Sequence, residues 1–356
     1  MDSLVQTIDL SSWFTGEAVA RRAVVEAIDR ECRRVGFLRV SGHGVPAELI
    51  DQMLEVTTAF FDRPEDEKLR YVPKDKAVNR GYAAYGTEAL AYSLGVDSKP
   101  DMFEAFNCGV DAVDESDPYV VAERHRFFAP NMWPEQPSDM RTVWVAYFGA
   151  CQALARELSR IFAVALGMPE DFIFDKVNRA VCVMRANNYE RRSHHAEPEP
   201  GQVRMGAHTD YGVCTILLAD PVPGLQIVGP DGAWHDVLPE PGTLLVNLGD
   251  LLAEWTNDRW RSTLHRVVPP TVAGPARRRS VAFFQEANYD ALISVMPTCV
   301  SDDNPARYTP VIAGEHLMNK LIGPRTLQRS TAVQTSAASA LKSPTDMRSE
   351  GHQFDH

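Results

Sequence analysis

Three residues in this chain have the types and spacing to hold a metal ion from one side only. The segment Gly206-Ala-His208-Thr-Asp210-Tyr-Gly212 stands where a run of strand-like patterns begins. Along a strand, side chains two apart share a face, so an imidazole at 208 and a carboxylate at 210 can meet one ion while Thr209 points away. A third ligand is expected from His265, inside the strand-like run Ser262-Thr-Leu-His-Arg-Val-Val268, with 54 residues intervening after Asp210. Two histidines and one carboxylate leave three positions open on a six-coordinate metal, the arrangement suited to Fe(II) and O2. A closed structural zinc site would need a fourth ligand instead. An isolated H-x-D is a weak signal, more often a surface or capping pair. His43 lies in a Gly-His-Gly turn and reads as structural. His194 and His195 fall in a polar stretch with Arg191, Arg192 and Glu197, a solvated loop near a pocket rim. His125, His235, His316, His352 and His356 have no partner at strand spacing.

Thirteen residues after His265 come Arg278-Arg279-Ser280, preceded by the turn signals Pro269-Pro270 and Gly274-Pro275. A strand leaving His265 and returning through that turn is expected to lie beside it, with Arg278 and Ser280 on one face and Arg279 on the other. A guanidinium fork plus a hydroxyl suits a dicarboxylate cosubstrate. The competing reading is that Arg277, Arg278 and Arg279 form a solvated basic turn.

The elements that must position these residues follow from the hydrophobic pattern. A helix is predicted over Gly16 to Val35, with Val19, Ala23, Ala27 and Cys32 on its apolar face, then a strand over Phe37 to Val40 and a helix over Ala47 to Phe61. Residues 62 to 100 carry Pro64, Pro73, Gly81 and Gly86 among many charges and read as loops and turns. A strongly apolar helix is predicted over Val143 to Leu166 through Val145, Phe148, Leu154, Leu158, Phe162 and Leu166. From Val181 to Ala287 short strands recur, at Val181 to Met184, Thr215 to Leu218, Leu225 to Val228, Leu244 to Leu248, Leu264 to Val268 and Val281 to Phe284. Many short strands at such spacing indicate a mainly β sandwich or jelly roll with flanking helices. A last helix is expected over Ala313 to Leu321. Residues 329–356, rich in Ser, Thr, Ala and Gln, read as a disordered tail.

Composition narrows the function. The 356 residues are 44% hydrophobic and 24% charged, ordinary globular values, with a formal net charge of −12 that opposes nucleic acid or an acidic membrane face. Six cysteines without a C-x-x-C pair read as reduced, buried thiols. The amino terminus lacks the pattern of a secretory signal and no uncharged apolar run approaches 18 residues, so a cytoplasmic protein with a small-molecule partner is expected. The oligomeric state is left open.

Taken together, His208-Thr-Asp210, Ser262-Thr-Leu-His265-Arg-Val and Arg278-x-Ser280 resemble the non-haem Fe(II)/2-oxoglutarate-dependent oxygenases of the isopenicillin N synthase-like group. The likeness extends to Gly36-Phe-Leu-Arg-Val-Ser-Gly-His-Gly-Val, to Met184-Arg-Ala-Asn187-Asn-Tyr189, to Gly242-Thr-Leu-Leu-Val-Asn-Leu-Gly-Asp250 and to Phe283-Phe284. Glu190, Ala287 and Cys214 depart from that group's usual residues, and Cys214 reads as a core thiol. The resemblance implies a distorted double-stranded β-helix core over 121–328, with residues 1–120 packed on it. It implies Fe(II) on His208, Asp210 and His265, and 2-oxoglutarate held by Arg278 and Ser280 with Asn187 and Tyr189 nearby. O2 is then the oxidant, and succinate and CO2 are released. The implied outcome is hydroxylation, desaturation, epoxidation or ring closure of a small organic, specialised-metabolite substrate. The group's pocket walls point to Tyr82, Phe103 and Phe284 as lining residues. Two alternatives stay open on the sequence: a four-electron oxidase of the isopenicillin N synthase type that needs no 2-oxoglutarate, and a catalytically silent binding module.

Overall fold

The computed structural model describes residues 3–75, 77–96, 98–191, 195, 199–269 and 277–326. The tail expected over 329–356, and His194, His352 and His356, lie outside the described residues. In chain order the strands that matter here are β1 (Thr7–Asp9), β2 (Phe37–Ser41), β3 (Gly81–Ala83), β4 (Glu104–Gly109), β5 (Val183–Asn188) and β6 (Met205–His208). They continue with β7 (Cys214–Ala219), β8 (Leu225–Val228), β9 (Trp234–Asp236), β10 (Leu244–Leu248), β11 (His265–Val267) and β12 (Arg279–Gln285).

These strands form two facing sheets. The larger runs β1-β2-β10-β7-β12-β5-β4-β3 and the smaller β6-β11-β8-β9. β1 pairs with β2 in parallel, and the remaining pairs of both sheets are antiparallel. This is the jelly roll that the strand pattern indicates and the double-stranded β-helix that the resemblance implies, with β1 to β4 of the amino-terminal part built into its larger sheet. β3, β4 and the short helix Glu65–Leu69 fall in or near the stretch read as turns and loops. β3 is three residues long and lies at the sheet edge, too short for a period of two to register.

The hairpin expected between His265 and Arg278 does not form. β11 pairs with β6 and β8 in the smaller sheet, whereas β12 inserts between β7 and β5 in the larger. Successive strands that cross between layers are what closes a jelly roll, so turn residues between two runs need not mean adjacent pairing.

Helices cover the outer face of the larger sheet. Met140–Ala165 buries Trp144, Phe148, Cys151, Leu154, Leu158 and Phe162 at helical spacing and packs against Ala18–Arg34, Ala47–Phe61, β7 and β12. Alternation along β12 sends Phe283 outward, edge-on to Phe148 at 5.0 Å, and leaves Phe284 for the inner face. Two expectations are corrected in phase. Val145 is exposed, and in Ala18–Arg34 the buried stripe is Val24, Val25, Ile28 and Cys32 while Val19 is 83% exposed. All six cysteines are free and buried, Cys214 within the main core. Burial pushes the Cys108, Cys182 and Cys214 thiols above their ordinary value.

A polar hub joins the amino-terminal helices to the sheet. Lys68 Nζ contacts Glu104 Oε2 at 2.5 Å, Tyr82 donates its hydroxyl to the same oxygen and Asn188 Nδ2 donates to Oε1 at 2.7 Å. Removing the lysine from such a buried group leaves a carboxylate short of countercharge. Lys68→Met is therefore expected to lower unfolding free energy by about 3 kcal/mol, read from urea denaturation at pH 7. An unchanged midpoint would show that Tyr82 and Asn188 alone satisfy Glu104.

Candidate metal and cosubstrate site

The inner face of the larger sheet is a ladder of residues at matching registers. Phe37, Asn247, Thr215, Phe284 and Val183 lie side by side across β2, β10, β7, β12 and β5. Two residues along, Leu217, Ala282 and Arg185 make the next row. All eight line a cavity of about 1110 Å³, counting its open mouth. The smaller sheet closes the other side with His208, His265, Met205, Leu225 and Val267, and Leu317 and Leu321 of the helix Ala313–Thr326 complete the wall.

His208 and His265 face each other across the β6–β11 register, ring centroids 4.2 Å apart. Each ring places Nδ1 against a backbone carbonyl, His208 on Gly206 at 2.8 Å and His265 on Thr263 at 3.1 Å. With those bonds donated from Nδ1–H, both Nε2 lone pairs face inward. Asp210 Oδ1 lies 3.9 Å from His208 Nε2 and 3.7 Å from His265 Nε2. The three ligand atoms stand within 4.8 Å of one another, and all three residues are buried. Phe37 packs edge-on to His265 at 5.5 Å.

The other carboxylate oxygen of Asp210 is held away from the cluster centre. Oδ2 accepts from the Thr215 hydroxyl and from Asn247 Nδ2 at 2.6 Å, both members of the first ladder row. The Asp210 carbonyl accepts Asp250 N–H at 2.8 Å, where the helix Asp250–Trp255 begins. Gly249 permits this approach, since a Cβ there would stand 2.3 Å from the Gly212 carbonyl oxygen. Thr209, pointing away from the cluster, donates to Asp250 Oδ2 at 3.0 Å, and Lys320 Nζ reaches the same oxygen at 2.8 Å.

Charge follows from this packing. Burial and the facing His265 hold the His208 imidazole well below the ordinary histidine value, so it stays neutral and its Nε2 lone pair is not taken by a proton. Burial works to raise Asp210, but His265, His208 and the bonds from Thr215 and Asn247 outweigh it and keep the carboxylate ionised. An ionised carboxylate beside two imidazoles that turn Nε2 toward it is a donor set for a divalent cation.

Arg278 precedes β12 with only 2% of its surface exposed, and its Nε and Nη1 are buried without a hydrogen-bond partner. Its guanidinium lies over the Tyr189 ring at 5.1 Å, and the Tyr189 hydroxyl is in bonding position to Ser280. Asn187 stands opposite Ser280 and accepts from Arg185 Nε at 2.9 Å. Arg279 faces the other way, to Asp220 at 3.3 Å. The solvated-turn reading therefore fails for Arg278, whose orphaned donors lack a carboxylate; it holds only in part for Arg277, whose Nη1 reaches exposed Asp62 at 2.5 Å while Nε donates to buried Asn188 at 2.9 Å.

Of the three expected lining residues only Phe284 faces the cavity. Tyr82 is buried in the Glu104 hub, and Phe103 lies behind the wall, tilted against Tyr189 at 5.9 Å and under the Arg185 guanidinium at 5.1 Å. His43 staples its turn by accepting Val45 N–H at Nδ1, 3.2 Å. His195 stacks on Tyr85 at 3.8 Å. His316 is buried, with Nδ1 3.8 Å from Glu254 Oε2. Sequence reasoning missed Thr215, Asn247, Glu88, Asp101 and Glu286. Asn247 alone left a signal, a polar residue inside the apolar run Leu244–Leu248. Glu286, on the cavity wall, is pushed up to about 8 by burial and by the Asp210 charge.

A double-stranded β-helix carrying a one-sided His-Asp-His cluster beside an unpaired arginine defines a class, the non-haem iron oxygenases. The chain belongs to the 2OG-Fe(II) oxygenase superfamily, which residues 180–287 match, while residues 5–136 match the amino-terminal region of a non-haem dioxygenase in morphine synthesis. Enzymes of this superfamily use Fe(II), 2-oxoglutarate and O2. The chain is 33% identical over 329 residues to homoarginine-6-hydroxylase 2-ODD-233 of Oryza sativa subsp. japonica, covering 90% of this chain and 94% of that one. It is 30% identical over 326 residues to validamycin A dioxygenase of Streptomyces hygroscopicus subsp. limoneus, covering 90% and 87%. Full-length Neurospora crassa T7H, in a crystal structure with alpha-KG and thymine, superposes with a TM-score of 0.77 at 29% identity, covering 89% and 96%. The chain is thus a 2-oxoglutarate-dependent oxygenase, and the oxidase and silent-module alternatives are not favoured.

Asp101 ties β6, which carries His208, to the segment over the cavity. Its carboxylate accepts Gly206 N–H at 2.7 Å and Leu90 N–H at 2.8 Å, and burial raises its pKa to about 7. The folded state therefore keeps a proton that the unfolded chain releases near 3.8. This contribution to stability is full below 3.8 and is lost as pH rises to about 7. Urea denaturation of wild type and Asp101→Asn across that window is expected to show the wild type losing ground to the variant as pH rises; a pH-independent difference would contradict the assignment.

Proposed function

We propose that His208 and His265, through Nε2, and Asp210, through Oδ1, hold Fe(II), and that Arg278 with Ser280 holds the distal carboxylate of 2-oxoglutarate, with Tyr189 and Asn187 near the same cosubstrate. The observation that carries this reading is the pairing of a buried, one-sided ligand cluster with a buried guanidinium whose Nε and Nη1 lack any partner. When bound, the iron supplies O2 activation coupled to decarboxylation of 2-oxoglutarate. The chain's own residues bind, orient and exclude water. Thr215 and Asn247 fix Asp210 so that one oxygen faces the ion. The carbonyls of Gly206 and Thr263 set the imidazole tautomers. Phe284, Leu217, Leu317 and Leu321 keep the cavity dry beside the reacting centre.

The substrate is a small organic molecule. Hydroxylation is the outcome that the relatives' names favour, and specialised metabolism is the setting that the validamycin relative supports. In this reading residues 121–328 carry the metal and cosubstrate groups, and residues 1–120 are the scaffold packed on them, adding Phe37, Glu88 and Leu90 to the cavity wall. The net charge of −12 disfavours nucleic acid and acidic membranes as partners. Among the described residues no helix is long and apolar enough to cross a membrane, and we assign the protein to the cytoplasm.

Two substitutions test the assignment. Asp210→Ala is expected to abolish Mn(II) or Co(II) binding in calorimetric titration while the protein still melts cooperatively; retained affinity would remove Asp210 from the ligand set. Arg278→Ala is expected to weaken 2-oxoglutarate binding about 10- to 100-fold, the loss of a charge-assisted contact, with metal affinity kept. Unchanged 2-oxoglutarate affinity would overturn its role.

A further inference from the structure

The inward face around β12 reads Arg278, Ser280, Ala282, Phe284, Glu286 at a period of two, passing from a cation through an aromatic wall to an acid. The cosubstrate reading uses the first two, and Glu286 has no role in it. Glu286 is 7% exposed and lines the cavity. Its Oε2 stands 2.3 Å from where a Cβ on residue 212 would be, so glycine at 212, beside the metal motif, is what lets the carboxylate reach in. Among the described residues no hydrogen-bond donor or cation engages it, and the one charge acting on it is that of Asp210. The other wall acid, Glu88, is held by Arg185 at 2.7 Å. Arg278 cannot neutralise Glu286, because eight residues of extended backbone set them roughly 26 Å apart.

A buried carboxyl without a partner takes its protonated form, and only an occupant of the cavity that supplies a cation holds it as a carboxylate. A wholly apolar occupant offers it no partner, and an acid offers it no countercharge. We propose that Glu286 is a specificity-determining residue that receives a cationic nitrogen group of the substrate, an ammonium, amidinium or guanidinium, while the apolar remainder lies along Phe284, Leu317 and Leu321. This rests on the reading of the same cavity as the oxygenase site.

Four linear probes test it: n-pentylguanidinium, n-pentylammonium, 1-hexanol and n-hexanoate, titrated calorimetrically into the protein loaded with Mn(II) and 2-oxoglutarate. Both cations are expected to bind at least about tenfold tighter than the alcohol or the acid, the usual worth of a hydrogen-bonded charge. Glu286→Gln keeps the shape and removes the charge, and is expected to erase that preference, with 2-oxoglutarate affinity within about twofold of wild type. Equal or tighter binding of hexanol or hexanoate, or a preference for cations that survives in the variant, overturns the proposal. If the variant does not melt cooperatively, the order of the four probes on wild type decides alone. Mn(II) and 2-oxoglutarate binding are read on the same samples without probe, so their loss overturns the metal and cosubstrate assignment separately from Glu286.

Discussion

The structure depends on a carboxylate kept ionised in a dry place. Asp210 sits between two imidazoles whose outer nitrogens are fixed by backbone carbonyls, and its second oxygen is held by a threonine and an asparagine from neighbouring strands. Each of those partners is a polar side chain on the inner face of an otherwise apolar sheet. The sandwich tolerates them because they satisfy one another, and the result is a His-Asp-His cluster whose orientation the protein itself fixes.

Strand alternation distributes the chemistry. In β12 one face packs Phe283 on the long helix Met140–Ala165, while the other presents the residues around the cavity. The same element therefore anchors the core and carries binding groups. Because the registers with β5 and β7 are continuous, a slip by one residue would turn Arg278 and Phe284 outward and Arg279 and Phe283 inward. The aromatic contact with Phe148 thus fixes the position of the guanidinium as well as the fold.

Much of this was legible in the chain. H-x-D at a period of two and a histidine in a second strand-like run are local patterns, and the helices over 47–61 and 140–165 declare themselves by a broad apolar stripe. What failed was whatever tertiary placement decides. The turn-rich link after His265 reads like a hairpin, yet it carries the chain from one sheet to the other. Val19 matches a helical period but falls outside the stripe that packs. Tyr82 and Phe103 are aromatic and near the site in sequence terms, but a hydroxyl claimed by Glu104 and a ring lodged behind Arg185 keep both off the cavity surface. Thr215 and Asn247 stay unread in the sequence because their role exists only once β7, β10 and the loop carrying Asp210 meet.

Asp250 joins two parts of the molecule that the sequence keeps far apart. One of its oxygens takes the hydroxyl of Thr209, the residue between two cluster members, and the ammonium of Lys320 on the helix that roofs the cavity. Roof and ligand loop are thereby hinged to one oxygen atom. Shortening the chain ahead of residue 320 would do more than unroof the chamber: it would strip a countercharge from the joint that keeps the ligand loop in register.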